Sequence, residues 1–146
     1  VVYKTATETV TSSTTLQDDN HLDLALQPGT YRIRAVLRAA GASGGDVKIA
    51  WTFSGTLTRS NRTSSGPVLS TTTVADTTVR ATTVALGTAV PYGTDGTNGS
   101  LIEEDLLLTV TVAGNLQLQW AQNASSGTAT ELTAECRMYA QKHAIG

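Results

Sequence analysis

Any chemistry this chain performs must come from a short set of side chains. Asp18, Asp19, His21 and Asp23 lie close together in the sequence. Hard cations take several oxygen ligands, so the group has the composition of a divalent-ion site. It lacks the glycine and the distal glutamate of a calcium-binding loop. Asp and Asn also accept backbone hydrogen bonds in polar turns, and a turn ahead of a strand is the preferred reading. Glu103, Glu104 and Asp105 form a second acidic run. No histidine is near it in sequence, and it reads as charge on a strand edge that deters edge-to-edge pairing.

Nucleophilic catalysis needs a base within hydrogen-bond reach of the nucleophile. His21 and His143 are the two histidines, and His143 falls near the end, where chains fray. No serine stands in a Gly-x-Ser-x-Gly turn. Cys136 lies between Glu135 and Arg137 with no histidine beside it to activate the thiol. Phosphate-loop and dinucleotide fingerprints are missing. Glycoside hydrolysis would need two carboxylates about 5–9.5 Å apart, which Asp18, Asp19, Glu103 and Glu104 would supply only through the fold. The sequence is therefore read as that of a protein without catalytic residues, metal ligands or a cofactor. Asn61, Asn98 and Asn123 begin glycosylation-type triplets, as chance produces in a chain this rich in Ser and Thr.

A different kind of chemistry is suggested by Leu116-Gln-Leu-Gln-Trp-Ala-Gln-Asn-Ala-Ser-Ser-Gly, which starts as an alternating strand and turns polar. Trp120 with Gln119, Gln122 and Asn123 has the composition of a glycan-binding edge. The same residues also suit a core anchor or a contact with another subunit, since amides both donate and accept.

The elements that must position these groups are strands. Charged residues make up 15% of the 146 residues, below the usual value of about 25%. Thr, Ser, Gly, Val, Leu and Ala fill the difference, and β-branched Thr and Val favour pleated surfaces. Tyr31, Ile33, Ala35 and Leu37 alternate with Arg32, Arg34 and Arg38, the pattern of a half-buried strand. Val47, Ile49, Trp51 and Phe53 repeat it, and the Gly-rich stretch at 41–45 predicts a hairpin between the two. Leu106–Val112 and Leu116–Trp120 around Ala113-Gly-Asn predict a second hairpin. Val1–Lys4 and Leu22–Leu26 are strand candidates, with a Pro28-Gly29 turn after the latter. A last strand spans Thr130–Gln141, with Leu132, Ala134, Cys136, Met138 and Ala140 on one face. Ser60–Pro67 reads as a loop, Val68–Leu86 as two or three short strands, and Pro91–Ser100 as a mobile external loop. Residues 1–15 are expected to be a flexible arm and 16–146 a single β-sandwich domain.

The single cysteine, Cys136, excludes an intrachain disulfide and reads as a small buried hydrophobe. A net charge of −2 without a basic cluster argues against nucleic acid as a partner. No apolar run reaches the roughly 20 residues that cross a bilayer, so no membrane insertion is expected. The chain does not begin with Met, which fits processing or a fragment.

Two segments together resemble a known family. Thr5-Ala-Thr-Glu-Thr-Val-Thr-Ser-Ser-Thr-Thr-Leu-Gln-Asp-Asp-Asn-His-Leu-Asp-Leu-Ala-Leu leads to Pro28-Gly-Thr-Tyr. Near the end stands Gly114-Asn-Leu-Gln-Leu-Gln-Trp-Ala-Gln-Asn-Ala-Ser-Ser-Gly-Thr-Ala-Thr. The pair resembles a family of β-sandwich domains in virion structural proteins of tailed bacteriophages, of head-decoration and tail-fibre type. The final strand departs from it, with Glu135-Cys136 where a small Gly-Ser pair would be usual. The resemblance implies a protein on the virion surface, an all-β, jelly-roll-like antiparallel β-sandwich that forms a homotrimer. Its partners would be copies of itself and the major capsid protein or another virion protein. Gln119, Trp120, Gln122, Asn123 and Tyr139 are then expected at the subunit interface.

The function expected is a capsid decoration (cement) protein that binds the outer shell and stabilises it. The alternative is a receptor-binding head of a tail fibre or spike, reading a host glycan with Trp120, Tyr92 or the loop between Tyr92 and Leu101. The short chain, with no heptad stalk or second domain, favours the first.

Overall fold

The computed structural model describes residues 1–70 and 79–143. Twelve strands account for its regular structure: β1 (Val2–Tyr3), β2 (Glu8–Val10), β3 (Gln17–Leu26), β4 (Gly29–Gly41), β5 (Val47–Phe53), β6 (Thr56–Pro67), β7 (Val79–Val84), β8 (Val90–Tyr92), β9 (Ser100–Val112), β10 (Gly114–Gln122), β11 (Thr130–Leu132) and β12 (Arg137–His143). The chain is all-β, and the named strands pair antiparallel throughout, as expected for a β-sandwich. The larger sheet runs β1-β12-β4-β9-β6-β7, with β11 joining β4 and β2 joining β11. The smaller runs β3-β10-β5-β8.

The alternation expected for β4 and β5 is present. Tyr31, Ile33, Ala35 and Leu37 are buried while Arg32, Arg34 and Arg38 are exposed. Val47, Ile49 and Trp51 are buried, and Phe53 packs at the margin. One apolar core collects these residues with Leu22, Leu26, Ile102, Leu106, Leu108, Leu116, Leu118, Trp120 and Met138 from both sheets. Each large side chain of this kind stabilises the fold by about 1.5–3 kcal/mol on burial.

Both predicted hairpins are corrected. β4 lies in the larger sheet and β5 in the smaller, and β9 and β10 are split the same way. Their short connections carry the chain from one layer to the other. At one end of the sandwich two such crossings meet. A Cβ on Gly55 would come within 2.2 Å of the Val112 carbonyl oxygen, and one on Gly114 within 2.2 Å of the Gly55 nitrogen. Only glycine permits the two backbones to approach this closely.

Four further expectations change. Residues 1–15 are not a free arm: β1 pairs with β12, β2 pairs with β11, and the Lys4 side chain is buried. The polar stretch from Gln17 to Asp23 belongs to β3, with an irregular register opposite Gln117 and Gln119. Ser60–Pro67 is strand, forming most of β6. The final strand is broken: Leu132 pairs with Ala39 and Arg137 with Val36, so Thr133–Cys136 loops out opposite Leu37 and Arg38. Ala134 and Ala140, expected on the buried face, are exposed.

Of the strands expected over Val68–Leu86, β7 is present, and 71–78 lie outside the described residues. The stretch from Pro91 to Ser100 is tied down. Tyr92 is in the core, Thr94 donates to Asp46 Oδ1, and Asp95 Oδ1 accepts from the Thr97 and Asn98 N–H groups.

Candidate functional site

The amide-rich end of β10 closes on its own chain. Gln122 is fully buried. Its Nε2 donates to the Thr128 carbonyl at 2.8 Å, and its Oε1 accepts from the N–H groups of Ser126 at 3.1 Å and Ser13 at 3.3 Å. Asn123 and Ala124 donate backbone N–H groups to the Gly45 carbonyl. One buried amide thus organises the 123–130 segment, because backbone groups taken out of water must be paired. Trp120 is fully buried in the core, and its indole N–H has no partner among the described residues.

The interface expectation is therefore corrected for two residues. The side chains of Trp120 and Gln122 are enclosed within the chain and have no surface to offer a neighbour. Gln119 is half-buried and donates to Asp18 Oδ1, Asn123 is half-buried, and Tyr139 is exposed. The structure does not gather the five into one patch. Trp120 and Tyr92, the aromatics considered for glycan stacking, both lie in the core.

The acidic group near the start is brought together with residues the sequence did not flag. Glu8, Asp19 and His21 cluster with ligand atoms within 4.8 Å of one another. Lys4 already occupies the centre, its ammonium paired with Asp19 at 2.5 Å and with Glu8. Asp19 Oδ1 also accepts from the His21 and Leu22 N–H groups, within a strand and not in the polar turn expected. Burial alone would raise the Asp19 carboxyl. The Lys4 hydrogen bond, the contact with Glu8 and the His21 N–H outweigh it and hold the group below its ordinary value. The arrangement is an internal ion pair that seats β1 against β3.

The second acidic run divides by strand parity. Glu103 and Asp105 face outward, and Glu104 faces the core. Glu104 meets Arg62, also fully buried. Arg62 Nε donates to Glu104 Oε2 and Nη2 to Oε1, both at 2.7 Å. Its remaining N–H groups reach the Ile49, Leu86 and Thr88 carbonyls, so all five donors are used. Glu104 also accepts from Trp51 Nε1 at 2.6 Å and from the Tyr92 hydroxyl at 2.9 Å. Burial first, then the Glu104 charge, pushes the Tyr92 phenol above its ordinary value and keeps it a neutral donor. This network joins β5, β6, β8 and β9 across both sheets. Half of it had a sequence signal: stepping back by two from Leu108 and Leu106 lands on Glu104. Arg62 had none, since its companions on the buried face of β6 are Ser64 and Gly66.

On the other side of the larger sheet, Arg34 pairs with Glu103, Arg32 with Asp105 at 2.7 Å and Arg38 with Glu135 at 2.5 Å. Tyr3, Leu101 and Tyr139 stand exposed around them. This ribbed, aromatic face is the candidate functional surface. Among the described residues, neither histidine side chain is hydrogen-bonded to a hydroxyl or thiol, and burial raises the Cys136 thiol, so it stays protonated. Comparison of the chain with models of protein families, with characterised proteins and with solved structures finds no match.

Proposed function

We propose that the chain is a structural protein of a bacteriophage virion, a decoration protein that binds the outer shell as a homotrimer and stabilises it. The observation that carries the reading is the strand order. The smaller sheet runs β3-β10-β5-β8, and the larger contains β4-β9-β6-β7. With β3 to β10 taken as eight successive strands, that order supports a jelly roll, a wiring used by viral capsid and lectin domains. The internal chemistry fits the same reading. The buried Arg62–Glu104 and Lys4–Asp19 pairs hold strands together, and the exposed groups form ion pairs and tyrosine contacts suited to a protein surface. The product of such a molecule is adhesion: surface buried against copies of itself and against the shell, multiplied by valency.

A receptor-binding head remains the competing role, but Trp120 and Tyr92, the two aromatics expected to serve it, are buried. Cryo-electron microscopy of the virion tests the choice. Density of this fold at three-fold positions on the shell is expected, and density confined to the tail tip would reject it. Light scattering of the purified protein is expected to give three times the chain mass; a stable monomer at micromolar concentration would remove the trimer.

A further inference from the structure

We propose that the outer face of the larger sheet around Arg137 is the surface that grips the shell, and that it takes a protein partner presenting a carboxylate flanked by apolar side chains. The proposal rests on the decoration reading and adds the site and its chemistry.

Register brings the patch together. Tyr3 lies beside Arg137, Arg137 beside Val36 and Val36 beside Glu103, across β1, β12, β4 and β9. In the next row Tyr139, Arg34 and Asp105 are neighbours, and Leu101 lies beside Arg38. Two adjoining hollows of about 450 and 280 Å³ open here and share Val36, Leu101 and Arg137. Tyr3 is 60% exposed, Leu101 58% and Tyr139 40%. Tyrosine and arginine are the residues enriched where protein partners bind most tightly.

Charge selects the ligand. Three arginines close to Arg137, namely Arg34, Arg32 and Arg38, are neutralised by Glu103, Asp105 and Glu135. Arg137 has no carboxylate partner among the described residues. Its Nε donates to the Tyr139 hydroxyl at 2.7 Å, its Nη1 donates to the Glu135 carbonyl at 3.2 Å, and its guanidinium lies 6.0 Å from the Tyr139 ring centre. Two of its five donors are used, and they fix the plane of the group. The outer edge of the fork is left for a bidentate carboxylate. Because the fork is already held, little conformational freedom is lost on binding.

The neighbours decide against other ligands. A polyanion such as nucleic acid would meet Glu103, Asp105 and Glu135 beside Arg137. A sugar would find no amide side chain among the residues lining the two hollows.

The test adds purified protein back to virions that lack it and counts bound copies per particle. Arg137→Glu is expected to lower occupancy at least about ten-fold at subsaturating protein, the effect of losing one central contact. Leu101→Asp should lower it as well. Arg59→Glu, the same charge change on β6, should stay close to the wild type. Circular dichroism and melting should be unchanged, since Arg137 and Leu101 contribute no core contact. Equal occupancy of Arg137→Glu and wild type would overturn the site. So would loss of the variant's own oligomer by light scattering, which would make the patch a self-contact. Wild-type binding to carboxylated oligosaccharides that disappears in Arg137→Glu would also overturn it, in favour of a glycan. Failure of the wild type itself to bind the shell would instead defeat the decoration reading and take this site with it.

Discussion

Three consecutive acids on β9 meet three arginines, with opposite physical consequences. Glu103 and Asp105 pair with Arg34 and Arg32 in water, with the arginines more than half exposed. Glu104 pairs with Arg62 where both side chains are fully buried. Outside, solvent screens the attraction, and fixing two long side chains costs entropy, so such a pair is worth little. Inside, the two charges were stripped of water at a cost of several kcal/mol each, and only the closely matched geometry offsets it. The inner pair is therefore a specification: it ties β5, β6, β8 and β9 together, and a shift of register would separate buried donors from their acceptors. The outer pairs leave the face soluble and still free to exchange partners.

The largest break in this comparison is Glu104→Gln. It leaves the Arg62 guanidinium charged and uncompensated in the core, and a loss of about 3–5 kcal/mol in unfolding free energy is expected from urea titration. Replacing both partners, Arg62→Met with Glu104→Leu, should cost less than the single change because no buried charge remains. It should not reach neutrality. Trp51 Nε1–H and the Tyr92 hydroxyl would lose their acceptor, and the Ile49, Leu86 and Thr88 carbonyls would lose a donor. A double variant as unstable as Glu104→Gln would mean that hydrogen bonding, and not charge, dominates the network.

Lys4 and Asp19 form the second buried pair and sharpen the contrast through pH. Asp19→Asn weakens the Lys4 contact but leaves Glu8 in place, so a smaller loss of about 2 kcal/mol is expected. The Asp19 carboxyl is held below its ordinary value of 3.8 in the folded chain. Its stabilising contribution is thus complete at neutral pH and is lost as pH falls below that value toward the folded pKa. Urea midpoints measured downward from pH 5 should fall more steeply for the wild type than for Asp19→Asn. Parallel curves would show that Asp19 is not linked to folding.

Gln122 makes the same point with a neutral group. Gln122→Ala strands the Ser13 and Ser126 N–H groups, and a loss of about 1–2 kcal/mol is expected, with faster amide exchange at both. The sequence marks its amide as a group that both donates and accepts, and the resemblance places its partners on another subunit. The donors belong to the same chain, up to 109 residues away, and composition carries no address. The same limit explains the hairpins. A Gly-rich turn signals that the chain reverses, and only packing decides whether it returns within its sheet or crosses to the other layer. β4 and β5 were legible because their buried faces are apolar at every second position. β6 was not, since Arg62, Ser64 and Gly66 on its buried face carry no hydrophobic period.

The smallest expected effect is on the outer face. Glu103→Gln removes the partner of Arg34, and both side chains keep substantial contact with water. Unfolding free energy should change by less than about 1 kcal/mol. The change should also fade in about 1 M salt, where screening acts within roughly 3 Å. Glu104→Gln, measured in the same salt, should keep its full cost, because ions do not enter the core. That pair of measurements separates the two environments on adjacent residues of one strand. If Glu103→Gln cost as much as Glu104→Gln, or if both responded equally to salt, burial would not be what distinguishes them.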